Sequence, residues 1–209
     1  MVDRCLIFGA GEHFPPTPAV NDGDFVIAVD GGYDYLLSVG ITPDIIVGDF
    51  DSARAEPPAE LTHRLPAEKD DTDMAAAIEL AIEKGAKCLN IYGGTGGRLD
   101  HTLSNIQCLA GIAQRGVKGF IHGGDFVITA VKNGKLSFAS GGRGTVSVFS
   151  HSELSTGVYE RGLKYPLDNA VLKNTYPLGV SNELTGGVAE ISVESGTLII
   201  IYPQGTEII

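Results

Sequence analysis

The chain has 209 residues, enough for one large domain or two modest ones. Its 43% hydrophobic and 20% charged residues suit a packed soluble core and exclude a chain disordered over most of its length. A net charge of −11 argues against a nucleic-acid partner, because such binding rests on basic patches that neutralise phosphates. An acidic chain can still bind a nucleotide that arrives with Mg²⁺.

Cys5, Cys88 and Cys108 are far apart and form no Cys-x-x-Cys, so a zinc ribbon or redox motif is not expected. Three reduced thiols in a cytoplasmic protein are the simpler reading. Asp3 and Arg4 precede only a short apolar run, which does not pattern as a signal peptide. The apolar run at 198–202 is too short to span a membrane, so no membrane partner is expected.

Taken in chain order, apolar runs predict strands over 5–8, 25–29 and 44–47, each followed by a Gly- or Asp-rich segment. A helix is predicted over 33–39, stopped by Gly40, and a second over 74–84, capped by Asp71, Thr72 or Asp73 and closed by Gly85. A strand over 88–92, a helix over 102–115 closed by Gly116 and a strand beginning at Phe120 and Ile121 complete this half. Such alternation implies an α/β domain with a mainly parallel sheet and helices on both faces. In that architecture ligands bind beyond the carboxyl ends of the strands, where the Gly- and Asp-rich segments fall. Past about Val131 the runs at 135–139, 145–149, 188–193 and 197–202 are short and often β-branched, with Gly, Ser and Asn between them. This half reads as an antiparallel sandwich or barrel. A boundary near Asn133-Gly134 divides the chain into 1–133 and 134–209.

Gly48-Asp49-Phe50-Asp51 ends the third strand. Asp49 and Asp51 point to one face if strand geometry persists, and two hard anionic ligands there suit Mg²⁺; the alternative is a polar turn in which one Asp caps the next segment. Lys69-Asp70-Asp71-Thr72-Asp73 opens a helix, with Asp70 and Asp73 sharing a side of the first turn. Acidic residues at a helix start are favoured by capping and the helix dipole alone, and Lys69 alone reads as a solvated charge. The stretch Gly93-Gly94-Thr95-Gly96-Gly97-Arg98-Leu99-Asp100-His101 joins a strand to a helix. Its glycines admit a phosphate to the backbone, the helix start offers N–H groups, and Arg98 can fork onto phosphate oxygens; a flexible loop with a surface Arg is the alternative. A dinucleotide fingerprint starting at Gly9 fails, because Phe14 stands where the third glycine belongs, and there is no Walker lysine motif or Gly-x-Ser-x-Gly elbow.

Together, Asp30-Gly31-Gly32, the run from Pro43 to Ser52 and the two later stretches resemble the thiamine pyrophosphokinase family, in that family's order. Gly162-Leu163-Lys164-Tyr165-Pro166-Leu167 and Ser181-Asn182-Glu183 resemble its second domain, so the resemblance covers nearly the whole chain. It implies an α/β domain holding ATP and Mg²⁺, a C-terminal β-sandwich for thiamine binding and dimerisation, and a homodimer. The reaction it implies moves a diphosphoryl group from ATP to thiamine, with AMP leaving. Carried onto this chain, it places Mg²⁺ on Asp49, Asp51 and Asp73, counts Asp100 with them as catalytic, and puts the nucleotide on Asp30, Lys69, Thr72, Gly96, Gly97 and Arg98. Asp70, Tyr165, Ser181 and Asn182 would meet thiamine. Two alternatives are a haloacid-dehalogenase-like phosphatase, which also places Asp-x-Asp after a strand, and a nucleotide- or thiamine-binding sensor without turnover.

Overall fold

The computed structural model describes residues 2–48, 58–64 and 72–209. It divides into two compact units, Met1–Cys108 with Val117–Gly124, and Leu109–Gly116 with Asp125–Ile209.

The first unit contains β1 (Arg4–Phe8), β2 (Phe25–Val29), α1 (Gly32–Ser38), β3 (Ile45–Gly48), a short 3-10 turn at Ala59–Leu61, β4 (Thr62–Arg64), α2 (Asp73–Glu83), β5 (Cys88–Tyr92), the start of α3 (Leu99–Gln114) and β6 (Lys118–His122). Its strands lie in the order β6-β5-β1-β2-β3-β4, and each neighbouring pair is parallel. β1 and β2 are buried at four consecutive positions, as expected of strands covered on both faces. Leu6, Phe8, Val26, Ala28 and Ile46 alternate onto one face and pack with Tyr33 and Leu36 of α1. Burying each large side chain contributes roughly 1.5–3 kcal/mol. α2 starts where Thr72 Oγ1 accepts from Ala75 N–H at 3.2 Å and ends where Gly85 N–H reaches Ile82 O at 2.9 Å.

The second unit is built from β7 (Phe126–Lys132), β8 (Lys135–Phe138), β9 (Arg143–Ser150), β10 (Leu154–Arg161), β11 (Leu167–Lys173), β12 (Gly179–Thr185), β13 (Ala189–Ser195) and β14 (Thr197–Pro203). They pair antiparallel in two groups, β12-β9-β14-β7 and β11-β10-β13-β8. Burial alternates along β9 and β13, so one face of each points into the core, where Phe138 meets Tyr202 edge to face at 5.2 Å.

The chain is thus mostly sheet of mixed pairing. The expectation of a mainly parallel sheet describes β1–β6 alone; β7–β14 pair antiparallel, with β10 and β11 the one pair adjacent in sequence and the other successive strands alternating between the two groups. No helix among the described residues is long and apolar enough to cross a membrane.

Candidate active site

In the first unit the strand that follows β1 in sequence lies on one side of it and β5 on the other. The crevice between the ends of β1 and β5 is therefore a topological switch point, where open α/β sheets bind ligands. A cavity of about 490 Å³ opens there. Its walls come from Gly9–Gly11 after β1, Val29 and Asp30 at the end of β2, Thr72–Met74 at the start of α2, the loop after β5, and His101 and Asn105 of α3.

Two glycine-rich loops form the floor and are zipped together by backbone hydrogen bonds. Gly9 N–H donates to Tyr92 O at 2.8 Å, Gly11 N–H to Gly93 O at 2.9 Å, and Glu12 N–H to Thr95 O at 2.8 Å. Gly93 has φ +63 and the backbone of Gly9 so close that a Cβ would stand 2.5 Å from Gly9 O. The His13 ring closes the outside of this zipper. Its Nε2 lies 2.9 Å from Gly9 O, and the ring stacks on Tyr35 at 3.6 Å between centroids. Burial pushes the His13 imidazole below its ordinary value, while the contact with the Gly9 carbonyl opposes that shift; a carbonyl only accepts, so that contact has Nε2–H donating. Buried Asn105 donates from Nδ2 to Gly94 O at 2.8 Å and so ties the second loop to α3.

Asp30 sits at φ +48, a left-handed conformation uncommon outside glycine. Its N–H donates to Val47 O at 3.0 Å, and its Oδ1 occupies the place where a Cβ on residue 48 would stand. The backbone turn thus turns a carboxylate toward the end of β3 instead of continuing the strand. Asp73, in the first turn of α2, lines the same cavity.

Arg98 and Asp100 form a two-point ion pair, Nε to Oδ1 at 3.1 Å and Nη2 to Oδ2 at 2.6 Å. Asp100 also accepts from His101 N–H at 3.0 Å. The Arg98 hydrogen bonds hold the Asp100 carboxyl down at about 2 and push the guanidinium up. The Arg98 side chain is 72% exposed, so its charge is available to an incoming anion.

The structure therefore brings Asp30, Thr72, Asp73, Gly96, Gly97 and Arg98 around one cavity, with Asp100 against Arg98. Asp49, Asp51, Lys69 and Asp70 lie outside the described residues. Tyr165, Ser181 and Asn182 lie in the second unit, where Asn182 meets Tyr165 and the Ser181 N–H donates to Ser147 Oγ at 3.1 Å. Tyr165 is 57% exposed, with Lys164 Nζ 5.2 Å from its ring centroid. Ser181 is exposed at φ +62, where the β12–β9 register shifts. Asn182 is buried and bonded to the Tyr165 backbone.

The sequence does not single out Asn105, nor the part played by Gly9–Glu12, where it shows only an incomplete dinucleotide fingerprint. A usable signal for Asn105 was its place at i, with apolar Leu109 and Ile112 at i+4 and i+7: an amide on the buried face of a helix needs a partner.

Among the described residues no three His, Cys, Asp or Glu side chains gather as metal ligands. The cavity wall nevertheless carries two carboxylates, Asp30 and Asp73, and the Asp30 carboxylate reaches the residue before Asp49. Oxygen donors alone, without sulfur or imidazole partners, fit a hard cation such as Mg²⁺.

A parallel α/β unit with a glycine-walled, carboxylate-lined crevice at its switch point, followed in sequence by an antiparallel β unit, defines a protein of an α/β part and an all-β part whose crevice offers backbone N–H groups and an arginine. The family model described as "Thiamin pyrophosphokinase, catalytic domain" matches residues 18–121, and "Thiamin pyrophosphokinase, vitamin B1 binding domain" matches residues 135–198. Thiamine pyrophosphokinase of Bacillus subtilis is 35% identical over 182 residues, covering 84% of this chain and 85% of that one. The crystal structure of a thiamine pyrophosphokinase from Bacillus subtilis superposes with a TM-score of 0.86 at 30% identity, over 96% of this chain and 99% of the other. That of Geobacillus thermodenitrificans gives 0.81 at 31%, over 96% and 97%. The chain belongs to the thiamine pyrophosphokinase family, and these matches favour that reading over a phosphatase or a sensor.

Proposed function

We propose that this protein transfers a diphosphoryl group from ATP to the hydroxyl of thiamine, giving thiamine diphosphate and AMP. The observation that carries the reading is the cavity at the β1/β5 switch point, where zipped glycine loops, the α2 and α3 N-termini and Arg98 face the Asp30 and Asp73 carboxylates. Glycine-rich backbone and helix N-termini hold phosphate oxygens, and Arg98 forks onto them. Lys69, Thr72, Gly96, Gly97, Arg98 and Asp30 hold the nucleotide, and Asp100 keeps the Arg98 fork oriented through its two-point pair.

Asp49, Asp51 and Asp73 hold Mg²⁺, which when bound neutralises charge on the phosphate oxygens. The chain's own task is positioning: the thiamine hydroxyl must lie in line with the β-phosphorus, opposite the AMP oxygen that departs. One of the aspartates accepts the hydroxyl proton as the new P–O bond forms. Asp70, Tyr165 and Ser181 make up the thiamine side, where the exposed Tyr165 face suits a flat, cationic ligand; Asn182, expected to meet thiamine, instead bonds the Tyr165 backbone behind that face. The enzyme acts as a cytoplasmic homodimer, its C-terminal unit providing the dimer contact.

The test is chromatography of the products from pure protein, Mg-ATP and thiamine. AMP and thiamine diphosphate in equal amounts are expected. ADP with thiamine monophosphate would overturn diphosphoryl transfer, and free phosphate without any thiamine ester would point to the phosphatase chemistry.

A further inference from the structure

The second unit carries a buried polar network with no direct task in the reaction above. Glu160 on β10 is fully buried; its Oε2 accepts from Asn182 Nδ2 at 2.6 Å, and its Oε1 has no hydrogen-bond partner among the described residues. Burial pushes this carboxyl up from its ordinary value, and the Asn182 bond opposes the shift. Asn182 on β12 is 4% exposed. Its second amide hydrogen goes to Tyr165 O at 2.7 Å, and its Oδ1 accepts from Tyr165 N–H at 3.0 Å and from Glu183 N–H at 2.8 Å. Two donors and two lone pairs are the whole capacity of an amide, so nothing is left for a ligand.

One side chain therefore grips residue 165 by both its N–H and its C=O, as a neighbouring strand would, and leaves the ring outside. On the outer surface Lys164 Nζ lies near the ring and bonds Glu183 Oε1 at 2.7 Å. An exposed aromatic with a clamped backbone is pre-organised, since the ordering cost of that segment is met before a ligand arrives. A buried carboxylate that serves one amide is costly unless it does something, and here it fixes the amide that fixes Tyr165.

We propose that Glu160 and Asn182 are positioning residues that hold Tyr165 as the platform for thiamine, Asn182 acting through Tyr165 and not on the substrate. This rests on the thiamine reading given above.

The test is steady-state kinetics of the full chain for wild type, Tyr165→Ala, Asn182→Ala, the double variant, Glu160→Gln and Glu160→Leu. Tyr165→Ala and Asn182→Ala are each expected to raise KM for thiamine about tenfold, with kcat and KM for ATP within about twofold of wild type. The double variant matches Tyr165→Ala alone, because the clamp has nothing left to position. Glu160→Gln keeps an acceptor for Asn182 and stays near wild type, whereas Glu160→Leu behaves like Asn182→Ala. Additive effects of the two alanine changes, or equal losses for ATP and thiamine, would overturn the proposal. An unchanged thiamine KM in Tyr165→Ala would overturn it by removing Tyr165 from the thiamine site. Absence of thiamine diphosphate from the wild-type reaction would instead sink the reaction itself. If the Asn182 and Glu160→Leu variants do not fold, hydrogen exchange of the wild-type Tyr165 amide decides: protection like that of β12 supports the clamp, and exchange at the rate of an exposed loop refutes it.

Discussion

Gly93 and Gly97 both sit at φ +63, and their surroundings differ. An alanine at either position meets the same backbone cost of about 1–2 kcal/mol for a left-handed residue. At Gly97 the new methyl meets nothing within 4 Å, so that cost is the whole effect. At Gly93 the methyl would stand 2.5 Å from Gly9 O and 2.7 Å from the His13 ring. Neither neighbour gives way easily, because Gly9 is held by Tyr92 O at 2.8 Å and by His13 at 2.9 Å. Relief means opening the zipper, with loss of the Gly11-to-Gly93 and His13-to-Gly9 bonds at about 0.5–1.5 kcal/mol each. Gly93→Ala should therefore cost about 2–5 kcal/mol in all and Gly97→Ala about 1–2 kcal/mol. In a chain of this size 1 kcal/mol moves Tm by roughly 2–4 °C. Thermal unfolding followed by circular dichroism should separate the two variants by several degrees, and KM for ATP should rise in Gly93→Ala as the floor of the cavity opens. Equal Tm losses would refute the claim that the two loops are locked together.

Further outcomes follow from the same geometry. Asp73→Asn should cut turnover about a hundredfold or more while leaving the circular dichroism spectrum unchanged; an active variant would remove Asp73 from the machinery. Arg98→Lys should raise KM for ATP through loss of the two-point fork, with the urea midpoint close to that of wild type, since the side chain is largely exposed. Asn105→Leu should cost about 1–3 kcal/mol, because the Gly94 carbonyl loses its donor, and urea midpoints identical to wild type would exclude that role. Burial raises the Glu160 carboxyl in the folded chain, so the folded state keeps its proton longer than the unfolded state does. Stability from this group is greatest below the ordinary value of 4.5 and falls as pH rises through the higher folded value. Glu160→Gln removes that fall, so it should gain on wild type above the window; parallel stability profiles would refute the assignment.

A good part of the molecule was legible in the residues. The strands read at 5–8, 25–29, 44–47 and 88–92 fall within a residue of β1, β2, β3 and β5, because continuous apolar runs ending at Gly or Asp have few other uses. Thr72 proved to be the cap among three candidates, its hydroxyl being the group that reaches Ala75 N–H. β4, β7, β10, β11 and β12 escaped notice: β4 has three residues, β7 is parted from β6 by three residues alone, and the others mix Ser, Thr, Asn, Asp and Glu into strands whose outer faces are wet. α3 begins at Leu99, ahead of the expected 102.

Composition and local order were enough for the fold class, the strand-end clusters and the family resemblance, because those depend on periodicity and turn chemistry within a few residues. The rest depends on partners far apart in the chain. Gly11 bonds Gly93, Asn105 bonds Gly94, and Asn182 bonds both Glu160 and Tyr165. Only folding brings such groups within 3 Å of one another. It thereby settles that Asn182, which reads in the sequence like a ligand-binding amide, spends all its hydrogen bonds inside the protein.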